Sequence, residues 1–564
     1  MTTSETILPR IAGSPAAALA WVAATRIRAV AALLLFALIC FLPGQGSIPA
    51  VDRDEARYAQ ATTQMLETGD FVDIRLHDDP RHYQPAGIYW LQAAAVSLVG
   101  ESLPAPIWVH RLPSLIGACL IVLLAYWAAC PLGDRRIAVV AGMMMAGLLL
   151  LNVEARLAKT DAVLNASVLV CQAVLLRLYV RDKVISAPFG WAAAFWIAAG
   201  VGVLVKGPIL VFVVGMTVVA ASVLARDLKW LGGLRPLIGL PVALAIALPW
   251  YIAIWFATDG AFYTKAIGYS ITNKITTGMQ SHGGPPGYYF LAFWVTSWPI
   301  AAVAASALPS LWRDRRAAVV CFAAAWVVPT WIVYELIATK LPHYVLPLYP
   351  AIALVAAWAL AGGRLDAGKW WVRLLFYLAA LGPIATVGVA IAAHLLLEGA
   401  LPAIVLGLAS AVLACVIVAM RFIHARALLD GWLVLVAIAA PLTYICVFGV
   451  VAPRLESLWL SPRLAAAAAD VAGCADPQVI SVGNNEASLI FAVGTDIRFG
   501  DSEDAANFLA GGDCRAAIVV SGAEPSLAEH LSEGAIVPGS VRRVGGYNIA
   551  NGRQMDFGVY GAPR

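Results

Sequence analysis

Two acidic clusters and a scatter of isolated cations are the residues of this chain whose types and spacing could do chemistry. Asp52, Asp54 and Glu55 stand close together, with Arg57 and Tyr58 directly after them. A carboxylate so placed can orient a nucleophile, take its proton or stabilise growing positive charge. The plain alternative is a solvated helix start, because acids favour the first turn. The second cluster runs from Glu154 to Asp161 through Arg156 and Lys159. Asp161 either joins Asp54 as a second catalytic carboxylate or caps the helix that begins there.

The cations are Arg57, Arg156, Lys159, Lys206, Lys265, Lys274 and Lys340, each near the end of an apolar run. A phosphate leaving group needs such neighbours, since negative charge grows on its oxygen as the bond to it breaks. Lys206 lies between two apolar runs, where an ionised group is costly without a partner; snorkelling to the interface is the other reading. His282 sits in Ser281-His282-Gly283-Gly284-Pro285-Pro286, a shaped loop, and is a candidate for binding phosphate, a metal or nothing. Lys340, His343 and Tyr344 share a helix entrance, although Tyr344 also suits an interfacial aromatic belt. Asp54, Glu55 and His282 are the candidate ligands for a divalent metal, but no diagnostic ligand spacing exists. No other cofactor is indicated.

These residues must be positioned by membrane helices. The chain has 564 residues, 61% of them hydrophobic and 13% charged, and a mean hydropathy of +0.80, which excludes a water-soluble globular protein. A crossing takes roughly 20 apolar residues. About thirteen spans are expected, beginning near Ala29, Leu112, Ile137, Asp161, Gly190, Gly207, Leu237, Gly287, Ala317, His343, Leu374, Pro402 and Trp432. The first, after Arg26 and Arg28, reads as a retained helix rather than a cleaved signal. A net charge of +4 without a polybasic tail gives nucleic-acid binding no support.

Lys and Arg in short loops favour the cytoplasmic side. With thirteen crossings the clusters at Arg135/Arg136, Arg181/Lys183, Arg226/Lys229/Arg235 and beyond fall in every second loop. The short run from Ala86 to Val99 breaks this alternation if it crosses, so it is expected to lie at the outer interface. The opposite loops, chiefly 45–111 and 257–286, then share one outward face with nearly all the unusual polar residues. An odd number of crossings from a cytoplasmic start puts the C-terminal end outside as well.

Residues 1–454 are accordingly read as the membrane domain and 455–564 as a small soluble α/β domain. Apolar stretches at Val479–Val482, Ala516–Val520 and Phe557–Tyr560 suit strands, and Asp504–Leu509 and Ser526–Leu531 suit helices. Seven of the nine cysteines lie in or beside apolar runs. Cys474 and Cys514 fall in the soluble part, where pairing is open in an oxidising compartment without two cysteines establishing a bridge.

Together these segments resemble the protein O-mannosyltransferase-like superfamily of integral membrane glycosyltransferases, and within it the aminoarabinose transferase branch that modifies lipid A. The matching pieces are Asp54-Glu55-Ala56-Arg57-Tyr58-Ala59, Tyr83-Gln84-Pro85 before Tyr89-Trp90, Asp161, Lys206-Gly207, and Lys340-Leu341-Pro342-His343-Tyr344 followed by Leu346-Pro347. In order they cover most of the membrane part. The resemblance implies a GT-C fold, an all-α polytopic membrane domain with interfacial helices on its outer face and a soluble domain after the last span.

It further implies transfer of 4-amino-4-deoxy-L-arabinose from undecaprenyl phosphate to a lipid A or lipopolysaccharide phosphate at the periplasmic face of a bacterial inner membrane. Asp54 is then the first catalytic carboxylate and Asp161 the second. Glu55, Arg57, Tyr58, Tyr83, Lys206, His282, Lys340, His343 and Tyr344 form the substrate-binding set. One departure is visible: relatives commonly carry Lys before this proline, where the chain has Gln84, so one phosphate-binding cation is either missing or supplied from elsewhere, by Arg81 or a lysine in another loop. Two rivals stand beside this reading. One is protein O-mannosylation by the same architecture. The other is a lipid-linked sugar flippase, which would set charges near the bilayer midplane, usually with repeats.

Overall fold

The apolar runs fold as a bundle of helices, capped at the C-terminal end by a sheet. The structure, a computed structural model, describes residues 14–100, 102–180, 188–271, 283–549 and 551–563. Among them nine helices are long and apolar enough to cross a bilayer, and a tenth is the pair Tyr288–Thr296 and Ala301–Arg313, bent by 115°. The three other expected spans correspond to shorter helices: Arg26–Phe41 of 16 residues, Arg135–Ala146 of 12, and Ile209–Ala225 of 17. Helix Gly87–Val99, with 13 residues, is too short to cross.

The spans differ in how much of their surface the bundle encloses. In Pro342–Leu360 and Asp161–Val180, 83% and 72% of the most apolar stretch is buried, against 22% in Trp370–Glu398 and Ala403–His424. The first two are central and the last two face lipid. The central pair carries Asp161, His343 and Tyr344 at its ends.

Two glycines allow the close approaches on which this arrangement depends. A Cβ at Gly117, in helix Ile107–Ala129, would lie 3.1 Å from the backbone of Ala162. A Cβ at Gly87 would come within 2.6 Å of the Leu204 carbonyl oxygen, so only glycine lets the short helix rest on the end of Phe189–Lys206. Before that helix, the first outer loop forms helix Asp54–Thr68 and a small antiparallel hairpin, β1 (Arg75–Leu76) and β2 (Asp79–Pro80).

The C-terminal segment forms a five-stranded mixed sheet from β3 (Gln478–Val482), β4 (Arg498–Phe499), β5 (Arg515–Val520), β6 (Val541–Tyr547) and β7 (Gln554–Gly561), in the order β4-β3-β5-β7-β6. β3 runs parallel to β4 and β5, while β7 pairs antiparallel with β5 and β6. Alternate strand residues serve opposite faces. Val479, Ile518 and Val559 pack under helix Leu460–Ala472. Ile480, Val482 and Val519 pack against Phe508, Leu509, Leu527 and Leu531 of the two helices on the other side. Cys474 and Cys514 are paired, with S–S 2.00 Å and Cα–Cα 5.8 Å. The three expected strands and two expected helices are present, with β4, β6 and helix Ala487–Val493 in addition.

Candidate active site

Asp54 is the first residue of helix Asp54–Thr68 and is exposed. The residue before it, Arg53, has φ 67° and ψ −110°, a left-handed backbone that costs a non-glycine residue on the order of 1–3 kcal/mol and tends to occur at functional positions. One step on, Glu55 is only 2% exposed. Its carboxylate accepts from Arg111 Nε and Nη2, both at 2.8 Å, and from the backbone N–H groups of Val51 at 2.9 Å and Ala158 at 2.8 Å. Arg111 also donates to the Gln45 and Ile48 carbonyls at 2.6 and 2.8 Å. This buried bidentate pair fastens the first loop to helix Ile107–Ala129, and the Ala158 N–H ties it to the segment leading into Asp161. Adjacent carboxylates therefore point to different places, one into solvent and one into the fold.

The second cluster is a compact ion network. Lys206 Nζ lies 2.6 Å from Asp161 Oδ1, Lys159 Nζ 3.0 Å from Glu154 Oε1 and 3.7 Å from Asp161 Oδ2. His343 spans the two acids, with Nδ1 3.9 Å from Glu154 and Nε2 3.9 Å from Asp161. Burial works against the Lys159 ammonium, but the carboxylates of Glu154 and Asp161 outweigh it and hold its pKa above the ordinary lysine value. Tyr344 stands edge-on to His343, their ring centres 5.1 Å apart.

A third group surrounds Arg81, three residues before Gln84. Arg81 is 9% exposed, lies over the Tyr58 ring at 4.8 Å and donates from Nε to the Tyr89 hydroxyl at 2.8 Å. Burial raises the Tyr58 phenol well above its usual pKa, which suits a neutral hydrogen-bonding group. Lys265 Nζ donates to the Pro80 carbonyl at 3.2 Å and lies 5.0 Å from the Tyr83 ring centre.

These groups enclose one cavity of about 430 Å³. Of the residues singled out in the sequence, Asp54, Arg57, Tyr58 and Tyr83 line it from the first loop, Asp161, His343 and Tyr344 from the central spans, and Lys206 from the end of helix Phe189–Lys206. Lys159, Lys265 and Arg81, also named from the sequence, join them, as does Asp79.

Two expected substrate-binding residues are not brought there. Glu55 is committed to Arg111, as above. Lys340 is 4% exposed and donates to the Tyr334 and Glu335 carbonyls at 3.1 and 2.8 Å and to that of Ile337, satisfying the end of the preceding helix. Arg156 likewise donates to the carbonyls of Pro43, Asn152 and Cys40. His282 and Lys274 lie outside the described residues. Among the described residues no group of three His, Cys, Asp or Glu side chains is gathered that could hold a metal ion. Asp79 had no signal of its own in the sequence, being one of several hairpin acids.

An amphiphilic cavity at the end of a helical membrane bundle, followed by a soluble domain, defines a class: the chain is a multi-pass membrane protein with the GT-C fold. The crystal structure of ArnT from Cupriavidus metallidurans bound to undecaprenyl phosphate has this fold, with a TM-score of 0.72 over 96% of this chain and 98% of that one at 21% identity. Residues 26–262 match the family model described as dolichyl-phosphate-mannose-protein mannosyltransferase.

Two curated relatives are named undecaprenyl phosphate-alpha-4-amino-4-deoxy-L-arabinose arabinosyl transferase. That of Pectobacterium carotovorum is 26% identical over 59% of this chain and 59% of its own length. That of Pseudomonas aeruginosa is 27% identical over 54% and 55%. The chain thus spans under two thirds of the length of these relatives. The resemblance drawn from the sequence motifs is borne out: the chain is similar to the aminoarabinose transferase branch of the protein O-mannosyltransferase-like proteins.

Proposed function

We propose that the chain transfers 4-amino-4-deoxy-L-arabinose from undecaprenyl phosphate to a phosphate of lipid A, at the periplasmic face of a bacterial inner membrane. The observation that carries this reading is the cavity itself, where Asp54 and Arg57 meet Arg81, Lys206 and Asp161 at one end of the bundle. The donor is a phosphodiester, carrying one negative charge. When an acceptor phosphate oxygen attacks the anomeric carbon, the bond from that carbon to the carrier phosphate breaks and the carrier leaves with a second negative charge. Arg57 and Arg81 meet that charge, while the Lys206–Asp161 pair orients the phosphate. Asp54 orients the acceptor and stabilises positive charge on the sugar. No strong base is needed, because a phosphate acceptor is already anionic near neutral pH.

The names of the curated relatives and the undecaprenyl phosphate bound to ArnT in its crystal structure support this donor. The paired Cys474 and Cys514 support an outward location for residues 455–564, since such bonds persist in oxidising compartments. Charged groups gathered at one end of the bundle favour an interfacial enzyme over a flippase.

The experiment is lipid A mass spectrometry in a strain lacking its own transferase, complemented by wild type, Asp54→Ala or Asp161→Ala at matched expression. Aminoarabinose addition by wild type and its loss in both variants is the expected result. A well-expressed wild type that adds none overturns the acceptor. The match of residues 26–262 to the mannosyltransferase model favours a second reading, transfer to a serine or threonine hydroxyl. Asp54 would then have to accept a proton, and a peptide acceptor assay separates the two.

A further inference from the structure

The wall of the cavity opposite the central spans is backed by the C-terminal domain. Helix Ala487–Val493 lies along helix Asp54–Thr68, with Phe491 packed beside Ala59, Ile107 and Ala158. Gln60 Nε2 donates to Thr495 Oγ1 at 2.6 Å. Two positions later along the domain, Ile497 and Phe499 meet the hairpin at His77.

His77 is the most heavily engaged residue of that hairpin. Its φ of 56° puts a non-glycine residue in the left-handed region, so the turn needs outside support. Its backbone N–H donates to Gln64 Oε1 at 2.7 Å and its carbonyl accepts from Gln64 Nε2 at 2.8 Å, which ties the turn to the Asp54 helix. Its ring Nε2 donates to the Ile497 carbonyl at 2.9 Å, and the ring stands edge-on to Phe499 with centres 5.2 Å apart. Nδ1 is 2.9 Å from Asp78 Oδ2. The residues flanking this turn, Leu76, Asp79 and Pro80, line the cavity. A two-stranded hairpin is at best marginally stable alone in water, and this one has two residues per strand.

We propose that the C-terminal domain acts as a latch on the donor cavity, and that His77 is the positioning residue through which it sets the hairpin wall against the bound donor. The latch rests on the donor reading above. A loosened hairpin weakens donor binding while Asp54 stays held on its own helix beside the Glu55–Arg111 pair, so the effect falls on KM rather than kcat.

The test uses the full chain in detergent. His77→Ala is expected to raise the donor KM about tenfold and weaken undecaprenyl phosphate binding, measured by native mass spectrometry, with kcat within about twofold and an unchanged thermal midpoint. His77→Gln, whose amide can reach the Ile497 carbonyl, recovers most of the loss. Phe499→Ala reproduces the KM rise from the other side of the contact. Wild-type KM and binding in His77→Ala overturn the latch. So does a thermal midpoint that falls in step with activity and that His77→Gln does not restore. If wild type transfers nothing to lipid A but His77→Ala still weakens undecaprenyl phosphate binding, the latch stands and the acceptor reading falls.

Discussion

The two walls of the cavity are charged in different ways. On the wall opposite the first loop, Asp161, Lys206 and Lys159 line the space and, together with the buried Glu154, neutralise one another within 2.6 to 3.7 Å, all of them largely buried. On the wall made by the first loop, Asp54, Arg57 and Asp79 line the same space with no ion pair among the described residues. A closed ion network holds a shape, because each charge already has its partner and moving any one strands another. An unpaired wall has charges left to offer a ligand. On the proposed reading the first wall frames the site and orients the donor phosphate through its Lys206–Asp161 pair, and the second offers its charges to the reacting groups.

The sharpest break in that comparison lies between neighbours. Asp54→Asn is expected to lower transfer about 10²–10³-fold with normal yield and an unchanged elution profile; activity within tenfold of wild type would remove Asp54 from the chemistry. Glu55→Ala should fail differently. It leaves the Arg111 guanidinium buried without its partner, a loss of about 3–5 kcal/mol, read as a lower thermal midpoint and aggregated protein on size exclusion. A folded but inactive Glu55→Ala would instead make Glu55 a substrate ligand.

The unpaired wall also depends on what backs it. Cys474→Ser is expected to destabilise the C-terminal domain by about 2–4 kcal/mol, measured as protease sensitivity after residue 455, and an unchanged digestion pattern would contradict a stabilising bridge. The smallest effect is Arg57→Ala. A donor KM raised about tenfold, equal to about 1.4 kcal/mol, is expected with no change in thermal midpoint. A falling midpoint would show that Arg57 belongs to the frame after all.

The contrast between the walls also explains what the sequence reveals and what it hides. Spans and strands are legible because long apolar runs and alternating residues carry their own period. Of the eleven cavity residues singled out in advance, the charged ones at the ends of apolar runs are legible because an ionised side chain there demands a reason, whereas Tyr83 is reached only through the family resemblance. Which carboxylate faces inward is not legible. Consecutive helix residues point about 100° apart, and the partner that draws Glu55 inward, Arg111, stands 56 positions away. Lys340 misleads in the same way. Its position at a helix entrance suggests a ligand, yet its ammonium folds back onto carbonyls three to six residues earlier. Strand β6 escapes notice because Arg542, Arg543, Gly545 and Gly546 interrupt its apolar alternation. His77 gives no local signal, since the hydrogen bonds that tie it to the Asp54 helix and to the C-terminal domain reach 13 and 420 residues away.

That last separation has a consequence for biogenesis. Chains are made from the N-terminus at roughly 5–20 residues per second, so the hairpin leaves the ribosome tens of seconds before the strand that holds it. Through that interval the central spans can insert and their ion network can close, while the first-loop wall has no backing. On the latch proposal a nascent chain therefore holds its frame before it grips a donor tightly, and full affinity arrives only once β4 and the strands around it are made.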